Sequence, residues 1–249
     1  MKHSGQSNDE RNARTALSDT LLTSPIPRPE LLDNLPIHMF PKDVAHILAL
    51  SEIYRMVCET PGCVMEFGTR WGRNISLFQS LRELYEPGNA FRAIVGFDSF
   101  AGFVEVSEED GRIDSDQPAI GDFSVSYGYA QSLQRMLDER ARTFALGHLR
   151  RDSVVAGDVR STLPVYLEDH PQTVIGLAYI DVDTYESTIG ILEAITPFLT
   201  KGSVVAFDEI AHPKWPGETI ALREAWGTSS LRLRKTSIAA TPAFVVWGE

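Results

Sequence analysis

A short apolar run that ends in two aspartates, within LAYIDVDTYEST at residues 177–188, constrains the fold of this chain most strongly. Residues 177–180 have the length and composition of a buried strand in a parallel sheet. Asp181 and Asp183 follow where that strand would end. In open α/β sheets, ligands bind beyond the carboxyl ends of the strands. The stretch therefore predicts a buried strand that presents carboxylates to a ligand.

A second apolar run, residues 203–207, ends in another acidic pair, Asp208 and Glu209. If the two strands are neighbours, their carboxylates converge, and like charges this close need a compensating cation or shifted pKa values. All-oxygen ligands suit a hard divalent cation. We therefore predict a metal site formed by Asp181, Asp208 and Glu209, with Mg²⁺ as the preferred ion and Mn²⁺ as the alternative.

Apolar runs alternate with amphipathic segments along most of the chain, which is typical of an α/β fold. We predict a Rossmann-like, doubly wound and mostly parallel sheet with an antiparallel C-terminal strand pair. The predicted strands are 63–67, 91–97, 153–157, 177–180, 203–207, 232–235 and 243–247. The predicted helices are 42–59, 74–86, 130–146, 160–169, 188–199 and 218–226.

Residues 1–40 depart from this rhythm and are predicted to form a polar tail and a proline-rich extended arm, with a short helix at 13–22. A length of 249 residues then suits a single domain over 41–249. Residues 100–129 form an acidic insertion within it, which is either a substrate-facing lid or a solvated surface loop. The arm also suits contact with a second subunit, so we predict a homo-oligomer.

Charge and composition exclude several classes of partner. The formal net charge of −11 argues against a nucleic-acid-binding surface, although a nucleotide-linked small substrate stays possible. No apolar run approaches the roughly 20 residues of a membrane span, and the N-terminus lacks a signal-peptide core. Cys58 and Cys63 match neither a zinc motif nor a disulfide framework. We therefore expect free thiols, no membrane partner and a cytoplasmic location.

The sequence EFGTRWG at 66–72 follows the first predicted strand and precedes a helix. Glycine permits a tight turn and close approach of a ligand, and the helix N-terminus offers unpaired N–H groups. The spacing of Gly68 and Gly72 is not the GxGxxG of dinucleotide-binding proteins. Glu66 suits a ligand that carries positive charge. S-adenosylmethionine (SAM) has an ammonium and a sulfonium, so we predict that Glu66, Gly68, Thr69 and Gly72 contact SAM.

Two further acids follow the second and third strands. Asp98 is placed to hydrogen-bond ribose hydroxyls, and Asp158 to accept from an adenine amino group. For either acid alone, capping the next helix is the simpler interpretation. Acids at the ends of three consecutive strands, with a glycine loop at the first, favour ligand binding instead. Their neighbours Ser99 and Val159 complete the predicted cofactor contacts.

Four segments, EFGTRWGRNI, GFDSFAGF, GDVRSTLP and IDVDTYEST with a later FDE, resemble motifs of class I SAM-dependent methyltransferases. More narrowly they resemble the metal-dependent sugar O-methyltransferases of antibiotic biosynthesis, such as those of the macrocin, mycinamicin and novobiocin pathways. The resemblance covers roughly residues 64–226. Val182 stands where that family usually has glycine, a change of little expected consequence. Glu209 stands where the family has aspartate, so we expect a difference in metal distance or denticity.

The resemblance implies that a sugar hydroxyl accepts the methyl group of SAM. Both glycosylated natural products and TDP-linked deoxysugars fit, the latter as in the TDP-rhamnose enzyme of calicheamicin biosynthesis. A neighbouring divalent metal would lower the pKa of the hydroxyl, and Asp181, Asp183 or His212 would act as the base. The alternatives are a catechol-type acceptor and a non-catalytic SAM- or nucleotide-binding module. The dense acidic cluster argues against the module, and the missing GxGxxG argues against a dehydrogenase.

Overall fold

The computed structural model describes residues 7–111, 118–149 and 152–249. The chain divides into two compact units, Met1–Ile47 and Leu48–Glu249. The division falls inside a helix and later than residue 40, and the domain limits 1–40 and 41–249 stay a prediction. Part of the predicted tail and the centre of the predicted insertion, residues 112–117, lie outside the described residues.

The N-terminal unit is more helical than the proline spacing indicates. Helix α1 (Asn8–Leu22) begins with a capping box formed by Ser7 and Glu10. The segment predicted as an extended arm contains helix α2 (Arg28–Leu31) and a 3₁₀ turn (Leu35–His38). Each has a proline in its first turn, where the fixed φ of proline suits a helix and its missing N–H costs nothing. The prolines therefore start short helices here instead of preventing them.

The second unit contains a seven-stranded sheet with the order β3-β2-β1-β4-β5-β7-β6. Strands β1 to β5 run parallel, and β7 pairs antiparallel with both β5 and β6. The predicted doubly wound sheet with an antiparallel finish is confirmed. The strands are β1 (Cys63–Phe67), β2 (Ile94–Asp98), β3 (Ser153–Ala156), β4 (Ile175–Ile180), β5 (Leu199–Phe207), β6 (Arg234–Lys235) and β7 (Ala243–Val246).

Alternate side chains of the central strands enter two separate cores. Met65 and Phe67 of β1 pack on one face of the sheet, while Val64 packs on the other. Burial on both faces explains why these strands are almost continuously apolar. The helices are α3 (Pro41–Val57), α4 (Arg73–Tyr85), α5 (Tyr129–Ala141), α6 (Val159–Asp169), α7 (Tyr185–Ile195) and α8 (Gly217–Ala225). Among the described residues, no helix is long and apolar enough to cross a bilayer.

Candidate active site

The register of three neighbouring strands brings the glycine loop and both acidic pairs to one place. Phe67 of β1 is level with Ile180 of β4, and Ile180 is level with Phe207 of β5. The next residues along these strands, Gly68, Asp181 and Asp208, therefore lie side by side at the carboxyl edge of the sheet. Strand β1 is also where the strand order reverses, which is the usual place for a ligand in such folds.

Backbone hydrogen bonds continue the pairing beyond the strands. The Asp181 N–H donates to the Phe67 carbonyl oxygen at 2.8 Å, and the Asp208 N–H donates to the Ile180 carbonyl oxygen at 3.0 Å. These bonds fix the backbone of both aspartates against their neighbouring strands. Their positions are therefore set by the sheet and do not depend on loop folding.

The glycines of the EFGTRWG loop serve packing within the protein. Gly68 has a φ of +93°, and a Cβ placed there would lie 1.8 Å from the Asp181 carbonyl oxygen. Gly72 has a φ of +82°, and its Cβ would lie 2.3 Å from a Leu133 methyl on α5. Thr69, between them, is buried. The sequence predicts close approach of a ligand to these glycines, whereas the close approach present in the structure is to Asp181 and Leu133.

Glu66 is a buried carboxylic acid with unused hydrogen-bonding capacity. Its side chain is 1% exposed, and its Oε2 makes no hydrogen bond with any described residue. Burial, as the largest cause, raises the pKa of Glu66 to about 8. A buried acceptor with no partner is rare in folded proteins and is compensated by a ligand or water. This atom therefore fits the ammonium group of SAM.

Asp98 organises the loops beside Glu66. Its Oδ2 accepts a hydrogen bond from the Arg70 N–H at 2.7 Å, and its Oδ1 accepts one from the Phe100 N–H at 2.6 Å. Arg70 and Phe100 both have positive φ values, of 46° and 55°. Burial raises the pKa of Asp98 despite these bonds. Each oxygen keeps a further lone pair for a ribose hydroxyl. Ser99 closes the turn by donating to the Gly102 carbonyl oxygen.

Asp158 has the capping role that the sequence leaves as an alternative. It is the N-cap of α6 and accepts a hydrogen bond from the Arg160 N–H at 3.0 Å. Its Oδ2 also pairs with the Arg160 guanidinium at 2.8 Å, which in turn contacts Glu105 at 2.6 Å. Val159 lies in the hydrophobic core. Whether Asp158 and Val159 also contact SAM stays a prediction.

Burial and neighbouring negative charge raise the pKa of carboxylates in both acidic pairs. Burial, followed by the charges of Asp208 and Asp183, raises the pKa of Asp181 well above its usual range. Burial and the charges of Asp183 and Asp208 raise the pKa of Glu209 to about 8. Asp208 accepts a hydrogen bond from the buried Tyr179 hydroxyl at 2.7 Å. This edge of the sheet thus concentrates negative charge that a cation would relieve.

The donor set fits a hard divalent cation in its chemistry, because Asp181, Asp208 and Glu209 offer only carboxylate oxygens. In the arrangement present, one oxygen of Asp208 is engaged by Tyr179. Within the described ranges, no three Asp, Glu, His or Cys side chains converge closely enough to hold a metal ion. The backbone positions of Asp181 and Asp208 are already adjacent. Their side chains would have to rotate to complete such a site.

Asp183 and His212, the other two candidate bases, differ in their contacts with the acidic pairs at this edge of the sheet. Asp183 has a φ of +61°, and burial and the Asp208 charge raise its pKa, opposed by the Arg70 guanidinium. The His212 Nδ1 lies 3.5 Å from Glu209 Oε2 and accepts a hydrogen bond from the Lys214 N–H at 3.3 Å. His212 is therefore beside the acidic pair, with one ring nitrogen already used. The choice among Asp181, Asp183 and His212 as base stays a prediction.

Sequence reasoning missed two buried acids that border this edge. Asp110, in the acidic insertion, is 1% exposed and accepts a hydrogen bond from the Tyr185 N–H at 2.5 Å. Glu218, in the first turn of α8, is 0% exposed. The only available signal for Glu218 was an acid in the first turn of a helix, which is common for solvent-exposed residues too.

The described part of the insertion packs against the body of the protein. Rings of Phe103 and Phe123 lie 6.0 and 6.1 Å from the Trp215 ring, and the Arg70 guanidinium lies 4.7 Å above Phe123. Together with Asp110, these contacts anchor the insertion to the loops that follow β1, β4 and β5. The anchored part is therefore not a freely solvated excursion.

Comparison with solved structures identifies a strong likeness to a methyltransferase. A crystal structure of CalS11, a calicheamicin methyltransferase, matches 99% of this chain and 95% of its own chain, with 44% sequence identity and a TM-score of 0.93. An apo structure of CalS11, TDP-rhamnose 3'-O-methyltransferase, matches 99% and 97% of the two chains, with 41% identity and a TM-score of 0.86. The O-methyltransferase NovP shares the fold at 19% identity, with a TM-score of 0.56 over 82% and 79% of the chains. No protein-family model and no curated protein matches.

Proposed function

We propose that this chain, which belongs to the class I SAM-dependent O-methyltransferases of antibiotic biosynthesis, methylates a hydroxyl of a TDP-linked deoxysugar. The observation that carries the proposal is the 44% identity and near-complete overlap with CalS11, which is described as a TDP-rhamnose 3'-O-methyltransferase. The carboxylate edge at β1, β4 and β5 supports it, because a site for O-methylation needs acids that can take a proton from a hydroxyl.

Two acids and the glycine loop would bind and orient the methyl donor. Glu66 would meet the donor's ammonium group, and Asp98 would accept from the ribose hydroxyls. Gly68, Thr69 and Gly72 would shape the loop around the methionine part. SAM supplies a methyl group already activated by its sulfonium, so the protein's contribution is to hold donor and acceptor oxygen in line.

Asp181, Asp208 and Glu209 would hold a divalent cation beside the acceptor, with Mg²⁺ as the preferred ion. Such a cation lowers the pKa of a neighbouring hydroxyl and helps to orient it. Asp181 or Asp183 would then take the hydroxyl proton as the oxygen attacks the methyl carbon. Burial and the neighbouring carboxylates raise the pKa of both acids, which makes their ionised forms stronger bases.

A panel of acceptors tests the proposed activity. We expect the purified protein to transfer label from SAM to TDP-rhamnose or another TDP-deoxysugar, but not to the same free sugar, as measured by product mass. EDTA should abolish the transfer, and Mg²⁺ should restore it. Labelled glycosylated natural products or catechols would contradict the acceptor class, and transfer that survives EDTA would contradict the metal. SAM binding with no transfer to any acceptor would favour a binding module.

The pKa of Glu66 gives the affinity for SAM a pH dependence with a defined sign. With its pKa at about 8, Glu66 is mostly protonated at pH 6, and a cationic ligand favours the ionised form. SAM binding should therefore tighten as pH rises from about 6 to 8, by up to about tenfold per unit, and weaken again where the ammonium group of SAM loses its own proton. Calorimetric titrations in EDTA measure this.

Glu66→Gln is the control for that dependence, because it removes the titrating group while keeping its shape. The variant should bind SAM more weakly and with a flatter pH profile than the wild type. A wild-type profile that is flat, or a variant that keeps the full slope, would show that another group responds.

Self-association is a further part of the proposal. Among residues 7–47 none is buried, and Leu22, Leu32 and Ile37 expose large apolar side chains. Exposed apolar side chains suit a contact with a second copy where they are covered together as one patch. Light scattering on the purified protein would show a monomer if the predicted homo-oligomer is wrong.

A further inference from the structure

Glu218 connects the two loops that carry the acidic pairs. It lies in the first turn of α8 and is completely buried. Its Oε1 accepts a hydrogen bond from the Asp183 N–H at 3.4 Å, and its Oε2 accepts one from the Glu209 N–H at 3.0 Å. One carboxylate thus bridges the backbone of the loop after β4 and the backbone of the loop after β5.

A carboxylate is costly at this position, so its presence needs a reason. Burial, followed by the charge of Asp183, raises the pKa of Glu218 well above its usual range. A buried acid among other acids destabilises a fold unless its hydrogen bonds compensate. Glutamine, which has the same shape and no charge, offers only one acceptor oxygen. The Asp183 and Glu209 N–H groups reach different oxygens of the Glu218 side chain, and a carboxylate provides an acceptor at both positions.

Gly217, the residue before Glu218, lets the start of α8 pack closely against the loop that contains Asp183. A Cβ on Gly217 would lie 2.9 Å from the Asp183 carbonyl oxygen and 2.4 Å from Asp110 Oδ1. Asp110 in turn accepts from the Tyr185 N–H, two residues after Asp183. Asp183 itself has a φ of +61°, a conformation that persists only when the surroundings enforce it. The contacts of Gly217, Asp110 and Glu218 together supply that enforcement.

We propose that Glu218 is a positioning residue for methyl transfer, which holds Asp183 and Glu209 at a fixed distance from each other beside Asp181 and Asp208, whose backbone the sheet already holds. The proposal rests on the proposed function, since it assigns these acids to one reaction site. Its side chain acts through the backbone of Asp183 and Glu209. Loss of the bridge would let Asp183 and Glu209 move relative to Asp181 and Asp208, and a misplacement of about 1 Å can cost about 100-fold in rate.

Two variants of Glu218 separate the effect of side-chain length from the effect of the carboxylate group. Glu218→Gln keeps the length of the side chain and loses one acceptor, whereas Glu218→Asp keeps the carboxylate but is too short to reach both N–H groups. The matched control is Glu224→Gln on the same helix, where an exposed carboxylate accepts from the Tyr185 hydroxyl at 2.6 Å. Three quantities are measured for each protein: kcat, the Kd for SAM, and amide hydrogen exchange of peptides that contain Asp183 and Glu209.

We expect both Glu218 variants to lower kcat by about 10- to 100-fold, with the Kd for SAM changed less than about threefold. Exchange should quicken in both peptides, and Glu224→Gln should change neither exchange nor kcat. Wild-type kcat in Glu218→Asp would overturn the proposal, as would unchanged exchange in both peptides. If Glu218→Gln is insoluble, Glu218→Asp carries the same measurements. Absence of methyl transfer by the wild type would contradict the proposed function. Hydrogen exchange would still show whether Glu218 holds the Asp183 and Glu209 N–H groups.

Discussion

Replacing Asp181 with asparagine is expected to lower kcat for methyl transfer by about 10²- to 10⁴-fold, the range for loss of a group that handles a proton. Asparagine keeps the size of the side chain, and the Asp181 backbone stays bonded to the Phe67 carbonyl oxygen of β1. The loss is therefore of negative charge and not of local structure. Because the proposed donor contacts come from Glu66 and Asp98, the Kd for SAM should change less than about threefold.

Steady-state kinetics with a saturating acceptor and a calorimetric SAM titration separate these two effects. Asp169→Asn, at the exposed end of α6, is the matched control and should leave both quantities unchanged. A large rise in the Kd for SAM with Asp181→Asn would mean that Asp181 belongs to the donor site. A kcat near that of the wild type would remove Asp181 from both its metal and base roles.

The strands were predictable because their burial on two faces leaves little room for polar residues. Strand β1 has the predicted limits, and its one acid, Glu66, is the residue with an unused oxygen. Strand β5 begins at Leu199 rather than at 203, because Leu199 pairs with Ile175 of β4 and the polar residues Thr200 and Lys201 continue the strand from there. Such pairing is a tertiary effect, which local composition does not report.

The acids of the site were predictable in position but less so in role. A strand that ends in an acid places that acid at the sheet edge, which is how Asp181 and Asp208 were found. The direction in which an acidic side chain points, when it lies in a loop or in the first turn of a helix, depends on its tertiary partners. Asp158 pairs with Arg160, and Asp110 and Glu218 hold backbone N–H groups from distant loops. Nothing within a few residues of these acids indicates those partners.

Gly68→Ala is expected to be the most damaging single-methyl change in the glycine loop. The new Cβ would lie 1.8 Å from the Asp181 carbonyl oxygen, an atom fixed by strand pairing, so the backbone must move. The φ of +93° adds a strain of about 1–3 kcal/mol for a residue other than glycine. Overpacking adds about 1–3 kcal/mol. We expect unfolding to become easier by about 2–6 kcal/mol in total, measured by urea denaturation.

Gly88→Ala is the matched control, because nothing lies within 4 Å of a Cβ at that position. It should change the free energy of unfolding by less than about 0.5 kcal/mol. Gly68→Ala should also reduce kcat, since the displaced carbonyl belongs to Asp181. A destabilised variant with the kcat of the wild type would show that the position of the glycine loop does not affect the function of Asp181. If instead Gly68→Ala is as stable as wild type but fails to bind SAM, the glycine is required for ligand approach, as the sequence pattern alone indicated. The two outcomes distinguish a glycine that makes room for the protein's own backbone from one that makes room for the donor.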